Sequence, residues 1–176
     1  MPHADTAAAA QPVTLIELPV HPLEPAAFAP FGQVVAPTAD GKGFDTDDAQ
    51  LELSRGTPRF YIMSLSHRAL TFRVITRHLA VTQVLASVGG KPWLIAVAPP
   101  EHPDDPAKMP DPNSIKAFRV PGTLAIKLHR STWHAGPFFD DAQVDFFNLE
   151  LADTNVTDHF NCHLDRTYGL AFRFKV

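Results

Sequence analysis

Proline occurs 17 times in 176 residues, and that spacing limits this chain more than any other feature. Each proline removes a backbone N–H and clashes with the preceding helical turn, so it breaks helices and confines strands to edges and short runs. Six prolines crowd residues 99–112, which marks a long excursion between elements. Short stretches of alternating or continuous apolar character lie between these breaks. Residues 60–65, 70–75, 143–151 and 168–175 alternate with period two, as half-buried strands do. Residues 79–87 and 93–98 are apolar at nearly every position and read as strands buried on both faces. Shorter strands are predicted at 13–18, 33–36 and 115–120, with one brief helix over 23–29. The pattern predicts an all-β fold with one or two short helices and roughly nine or ten strands, arranged as a sandwich, jelly roll or barrel.

The totals narrow the function. Hydrophobic residues make up 45% and charged residues 19%, enough for one real core, so a single domain over residues 13–176 is expected behind a flexible tail at 1–12. A net charge of −4 supplies no basic footprint for nucleic acid or an anionic membrane, and no apolar run approaches a membrane span. A small-molecule partner is the better reading. The lone cysteine, Cys162, rules out an intramolecular disulfide and suits a reducing, cytoplasmic compartment. An edge-rich β fold with 13 phenylalanines suggests a homodimer.

The chemistry-bearing residues gather around Leu124–Pro137, L-A-I-K-L-H-R-S-T-W-H-A-G-P. Strand alternation puts Lys127 and His129 on one face, with Ile126 and Leu128 on the other. Lys127 either snorkels to solvent or binds an anion or acts as a base. The chain is expected to turn after Thr132, leaving Trp133 and His134 on a pocket rim. His129 and His134 straddle that turn, where they could converge. His78 and Gln83 lie five apart, on opposite faces of any regular strand unless a turn or bulge intervenes. Arg59 offers a carboxylate clamp through its guanidinium fork. Asp145 and Glu150 offer partners for a histidine or lysine, or edge charges. His3, His21, His67, His102 and His159 fall in loops or ends and read as solvated.

Three segments resemble the ureidoglycolate lyase family, formerly called ureidoglycolate hydrolase. Arg77-His78-Leu79-Ala80-Val81-Thr82-Gln83 is similar to the family's R-H-x-x-x-x-Q, although Thr76 stands where the family has an acidic residue. Pro112-Asn113-Ser114-Ile115-Lys116-Ala117-Phe118 is similar to its R-A-F segment, and Gly122 through Trp133-His134 to its G-to-W-H run. The resemblance implies a cupin-like double-stranded β-helix that cleaves ureidoglycolate to glyoxylate and urea. On that reading Lys127, His129 and His134 are the catalytic candidates, and Arg59, His78, Gln83, Trp133 and Asp145 contact substrate. The resemblance also permits a divalent metal, nickel included, with His78, His129 and His134 as candidate ligands. The alternatives are another cupin-type lyase, isomerase or hydrolase acting on a small hydroxy or keto acid, and a non-catalytic small-carboxylate-binding module.

Overall fold

The computed structural model describes residues 12–176, so the tail expected at 1–12 lies, apart from Pro12, outside the described residues. Thirteen strands and three short helices follow one another as β1 (Thr14–Pro22), α1 (Pro25–Phe28), β2 (Gly32–Val35), β3 (Pro58–Ser66), β4 (Thr71–Phe72), β5 (Val74–Arg77), β6 (Gln83–Ser87), β7 (Trp93–Ala98), β8 (Lys116–Val120), β9 (Ala125–Leu128), β10 (Trp133–Phe138), β11 (Gln143–Leu151), α2 (Thr154–Thr157), β12 (Phe160–His163), α3 (Leu164–Tyr168) and β13 (Leu170–Lys175). They form an eight-stranded sheet in the order β12-β5-β10-β7-β8-β1-β13-β4 and a five-stranded sheet in the order β2-β9-β6-β11-β3. This is the mostly-β architecture the alternation predicts.

β7 shows why the chain folds this way. All six of its residues are buried, and alternation sends them into two different cores. Trp93, Ile95 and Val97 pack with Leu85, Ile126, Leu128 and Phe146 of the five-stranded sheet. Leu94, Ala96 and Ala98 pack with Trp133, Phe138, Phe172 and Phe174, because the β13-β4 end of the large sheet curls back over its own outer face. β1 makes that curl possible. Its first part pairs in parallel with β13, Thr14 opposite Leu170, and its last residues pair in parallel with β8, Val20 opposite Ala117.

Close approach of β2 to β9 depends on Gly32, where a Cβ would sit 2.0 Å from the Lys127 carbonyl oxygen. Several sequence-predicted elements change. The run 70–75 breaks at Arg73 into two strands of the large sheet, and 79–87 shortens to β6. Residues 78–82 cross from one sheet to the other, held by the Asp158 carboxylate, which accepts hydrogen bonds from Leu79 N (2.6 Å) and Ala80 N (2.8 Å). The segment from Trp133 is strand β10 rather than a rim turn.

Candidate functional site

The facing surfaces of the two sheets are apolar at one end and polar at the other. On the large sheet, Thr76 lies opposite His134 and Asn161, so these three share the inward face with His78, two residues further on. On the small sheet, Asn148 lies opposite Leu85 and Tyr61, and Glu150 opposite Arg59. His78 and Gln83 therefore reach the same interior from opposite walls, since the 78–82 crossing changes sheets between them.

These groups form a continuous buried network. Gln83 Nε2 donates to Asn148 Oδ1 (3.2 Å) and Glu150 Oε2 (2.9 Å). Tyr61 Oη donates to Glu150 Oε1 (3.1 Å) and accepts from Asn148 Nδ2 (3.0 Å). The Glu150 carboxylate is 1% exposed, and its oxygens accept from Gln83, Tyr61 and Asn155. A buried carboxylate requires that kind of satisfaction. Tyr61 is pushed up by burial and then by the Glu150 charge.

Beside this network stand three imidazoles. The His78 ring centroid lies 5.2 Å from that of His134 and 5.5 Å from that of His159. His78 Nδ1 is 2.6 Å from the Asp158 carbonyl oxygen and His134 Nδ1 is 3.1 Å from that of Thr132. A carbonyl only accepts, so both rings carry their proton on Nδ1 and present Nε2 as an unprotonated acceptor. Burial is the main force that keeps them neutral. It lowers His78 against the opposing pull of Asp158 and Glu150, and it lowers His134 to about 3, with the neighbouring His78 adding to the effect.

His134 and His159 line an open cleft of about 490 Å³ together with Arg68, Arg73, Thr76 and Asn161. The Arg68 guanidinium rests 4.0 Å from the Phe138 ring centroid and donates from Nη2 to the Pro137 carbonyl (3.2 Å). Thr76 Oγ1 donates to Asn161 Oδ1 (2.6 Å). Acceptor imidazoles, amides and guanidinium donors thus share one small space. That set can hold a carboxylate and move a proton.

The sequence-predicted residues divide between two places. Lys127 and His129 do share a face, with Lys127 Nζ 3.0 Å from His129 Nδ1. It is the outward face, because Lys127 pairs with Gln33 and Val84 while Leu128 and Gln83 point inward. The pair lines a separate cleft of about 810 Å³ with Gln33, Phe44, Leu51 and Glu52. His129 and His134 come from different sheets, since the turn between them crosses over, and both line one small pocket with His78, Gln83 and Thr132. Trp133 is not on a rim; it is 2% exposed in the outer core, with the Arg77 guanidinium 4.6 Å from its ring centroid. Asp145 faces outward opposite Ser64, away from the histidines. Arg59 is exposed, its guanidinium 3.7 Å from the Tyr61 ring centroid, and reaches the network only through that ring.

Arg68, Arg73 and His159 were not singled out by sequence reasoning, which placed His159 among the solvated loop residues. For His159 the signal is register: β12 pairs with β5, Phe160 opposite Arg77 and Asn161 opposite Thr76, which brings the residue just ahead of β12 to this edge. The metal candidates do not fit a common centre. Both His129 ring nitrogens are engaged, Nδ1 by Lys127 and Nε2 by the Ala29 carbonyl at 3.0 Å. Among the described residues no three histidine, cysteine or acidic side chains are placed to hold a metal ion.

Comparison with known proteins agrees with the sequence resemblance. Residues 15–168 match the family model described as ureidoglycolate lyase. The chain is 29% identical over 157 residues to a ureidoglycolate lyase of Azotobacter vinelandii, covering 81% of this chain and 91% of that protein. It is also 29% identical over 163 residues to ureidoglycolate lyase 2 of Rhizobium meliloti, covering 83% and 94%. Among solved structures, a dTDP sugar isomerase of Desulfovibrio desulfuricans G20 aligns over 68% of this chain and 74% of its own, at 17% identity and a TM-score of 0.38.

Proposed function

The chain belongs to the ureidoglycolate lyase family, and we propose that it cleaves ureidoglycolate to glyoxylate and urea at the inward-facing histidine cluster. The reaction is the collapse of a carbinolamine. A base removes the hydroxyl proton, the carbon–oxygen double bond forms as the carbon–nitrogen bond breaks, and an acid delivers a proton to the departing urea nitrogen.

The observation that carries this reading is the pair of neutral imidazoles whose Nδ1 protons are committed to backbone carbonyls. Their Nε2 atoms are left as acceptors beside a polar cleft. His134 lines the cleft and is the base. His159, exposed at the cleft mouth, is the acid that faces the departing nitrogen. Arg68 and Arg73 hold the substrate carboxylate. His78, Gln83, Asn148 and Glu150 back the base from behind and keep its surroundings ordered. Positioned acid–base groups of this kind contribute about 10²- to 10⁴-fold each. Lys127, His129, Trp133 and Asp145 have no part in this mechanism, and Arg59 acts only by buttressing Tyr61.

Purified protein is expected to release glyoxylate from ureidoglycolate faster than the substrate decays in buffer. Equal rates would remove the lyase reading. Thr76 on the cleft wall, where related chains carry an acidic residue, favours a second reading in which a different small hydroxy acid is the better substrate. Competition between ureidoglycolate and other 2-hydroxy acids separates the two.

The protein acts as a cytoplasmic homodimer on this account. Its single, buried, free cysteine supports a reducing compartment. The outward face of the small sheet supports self-association: Phe60 is 66% exposed, Ile62 57% and Phe147 38%, and Phe60 stacks on Phe147 at 5.7 Å.

A further inference from the structure

Lys127 is a buried amine that the lyase mechanism leaves unused. It is 3% exposed, yet it forms part of the wall of the 810 Å³ outer cleft. Glu52, the carboxylate on that wall, is paired with Arg130 at 3.6 Å. The nearest polar partner of Lys127 Nζ is His129 Nδ1 at 3.0 Å. Because His129 Nε2 donates to the Ala29 carbonyl, its Nδ1 is a lone pair and can only accept from the lysine. A lysine held this way receives no compensating charge at contact distance. Burial accordingly lowers its pKa, with Glu52 opposing from further off. The rest of the cleft is mainly apolar and uncharged, with Ala29, Phe44, Ala49 and Leu51.

We propose that Lys127 is an imine-forming nucleophile that captures small uncharged aldehydes or ketones in this outer cleft, at a site separate from the lyase centre. The Nζ lone pair adds to the carbonyl carbon, and a proton passes from Nζ through His129 Nδ1 to the former carbonyl oxygen. Loss of that hydroxyl as water, with a second proton from nitrogen, leaves the imine, so amine and carbonyl become imine and water with no change of oxidation state. The apolar wall favours an uncharged body on the ligand. Glu52 disfavours a carboxylate.

The test is reductive trapping on the intact protein near neutral pH, with propanal limiting and cyanoborohydride in excess, followed by peptide mass spectrometry. Lys127 is expected to be the first lysine to acquire the propyl group, ahead of Lys42 and Lys91. Lys127→Met, which keeps the apolar stem, is expected to abolish that fast adduct while ureidoglycolate turnover persists. An even spread over the lysines, or Lys127 reacting last, overturns the proposal. Glyoxylate outrunning propanal at Lys127 overturns the assigned ligand class. Neither result depends on the lyase assay, so failure of this site and failure of the lyase reading are separately visible.

Discussion

Acidification should destabilise this protein through His134, by an amount that its surroundings define. Its pKa is lowered from the ordinary 6.5 to about 3, first by burial and then by His78. In the unfolded chain the imidazole takes up a proton at a pH where the folded protein keeps it neutral. The contribution is therefore fully present above about pH 6.5 and is lost progressively as the pH falls towards about 3. Linkage between those two values gives a loss of about 1.4 kcal/mol between pH 7.5 and 5.5 and about 2.6 kcal/mol between pH 7.5 and 4.5. His78 and His129 are also lowered by burial and act in the same sense, so the comparison must cancel them. Urea unfolding of the wild type and of His134→Gln at each pH does so, because both proteins retain the other two rings. The variant is expected to lose about 1.4 kcal/mol less than the wild type between pH 7.5 and 5.5. Parallel pH dependences would refute the half-buried, neutral state assigned to His134.

Gly32→Ala should destabilise the fold by about 1–3 kcal/mol, since the new Cβ would meet the Lys127 carbonyl oxygen and part β2 from β9; an unchanged denaturant midpoint would contradict that contact. Asp158→Ala removes acceptors from two backbone N–H groups at the 78–82 crossing. It is expected to cost about 3 kcal/mol and to lower lyase activity by loosening the 78–82 crossing that positions His78, which differential scanning calorimetry and initial rates would report together. Replacing Phe60 and Phe147 with serine should shift the protein from dimer to monomer in sedimentation velocity, and a monomeric wild type would remove the self-association proposal.

Much of the fold was readable as periodicity. Residues 93–98 and 143–151 are strands over their full predicted lengths, because a run apolar on both faces and a long alternating run leave the backbone few other ways to bury its side chains. Alternation also put Lys127 and His129 side by side, as observed. It could not say which side of the sheet is the inside. That depends on strand register and on where the chain changes sheets, at residues 78–82 and again at 129–132, and neither leaves a periodic trace. His78 and Gln83 seemed incompatible on one strand for this reason, although they face each other from two sheets. His159 is an exposed loop residue, as expected; it stands just ahead of β12, and it reaches the cleft because β12 pairs with β5. Trp133 was misjudged in the opposite direction. An aromatic next to a histidine suggested a rim, but the two point to opposite faces of β10, one into the outer core and the other into the cleft.

The central claim is that the inward cluster, and not the Lys127–His129 cleft, performs the cleavage. The measurement that separates them is kcat/KM for ureidoglycolate in His134→Ala and Lys127→Met, each checked for native circular dichroism. The account predicts a loss of about 10²-fold or more for His134→Ala and near wild-type activity for Lys127→Met. Full activity in His134→Ala with loss in Lys127→Met would place the chemistry on the outer face and contradict it.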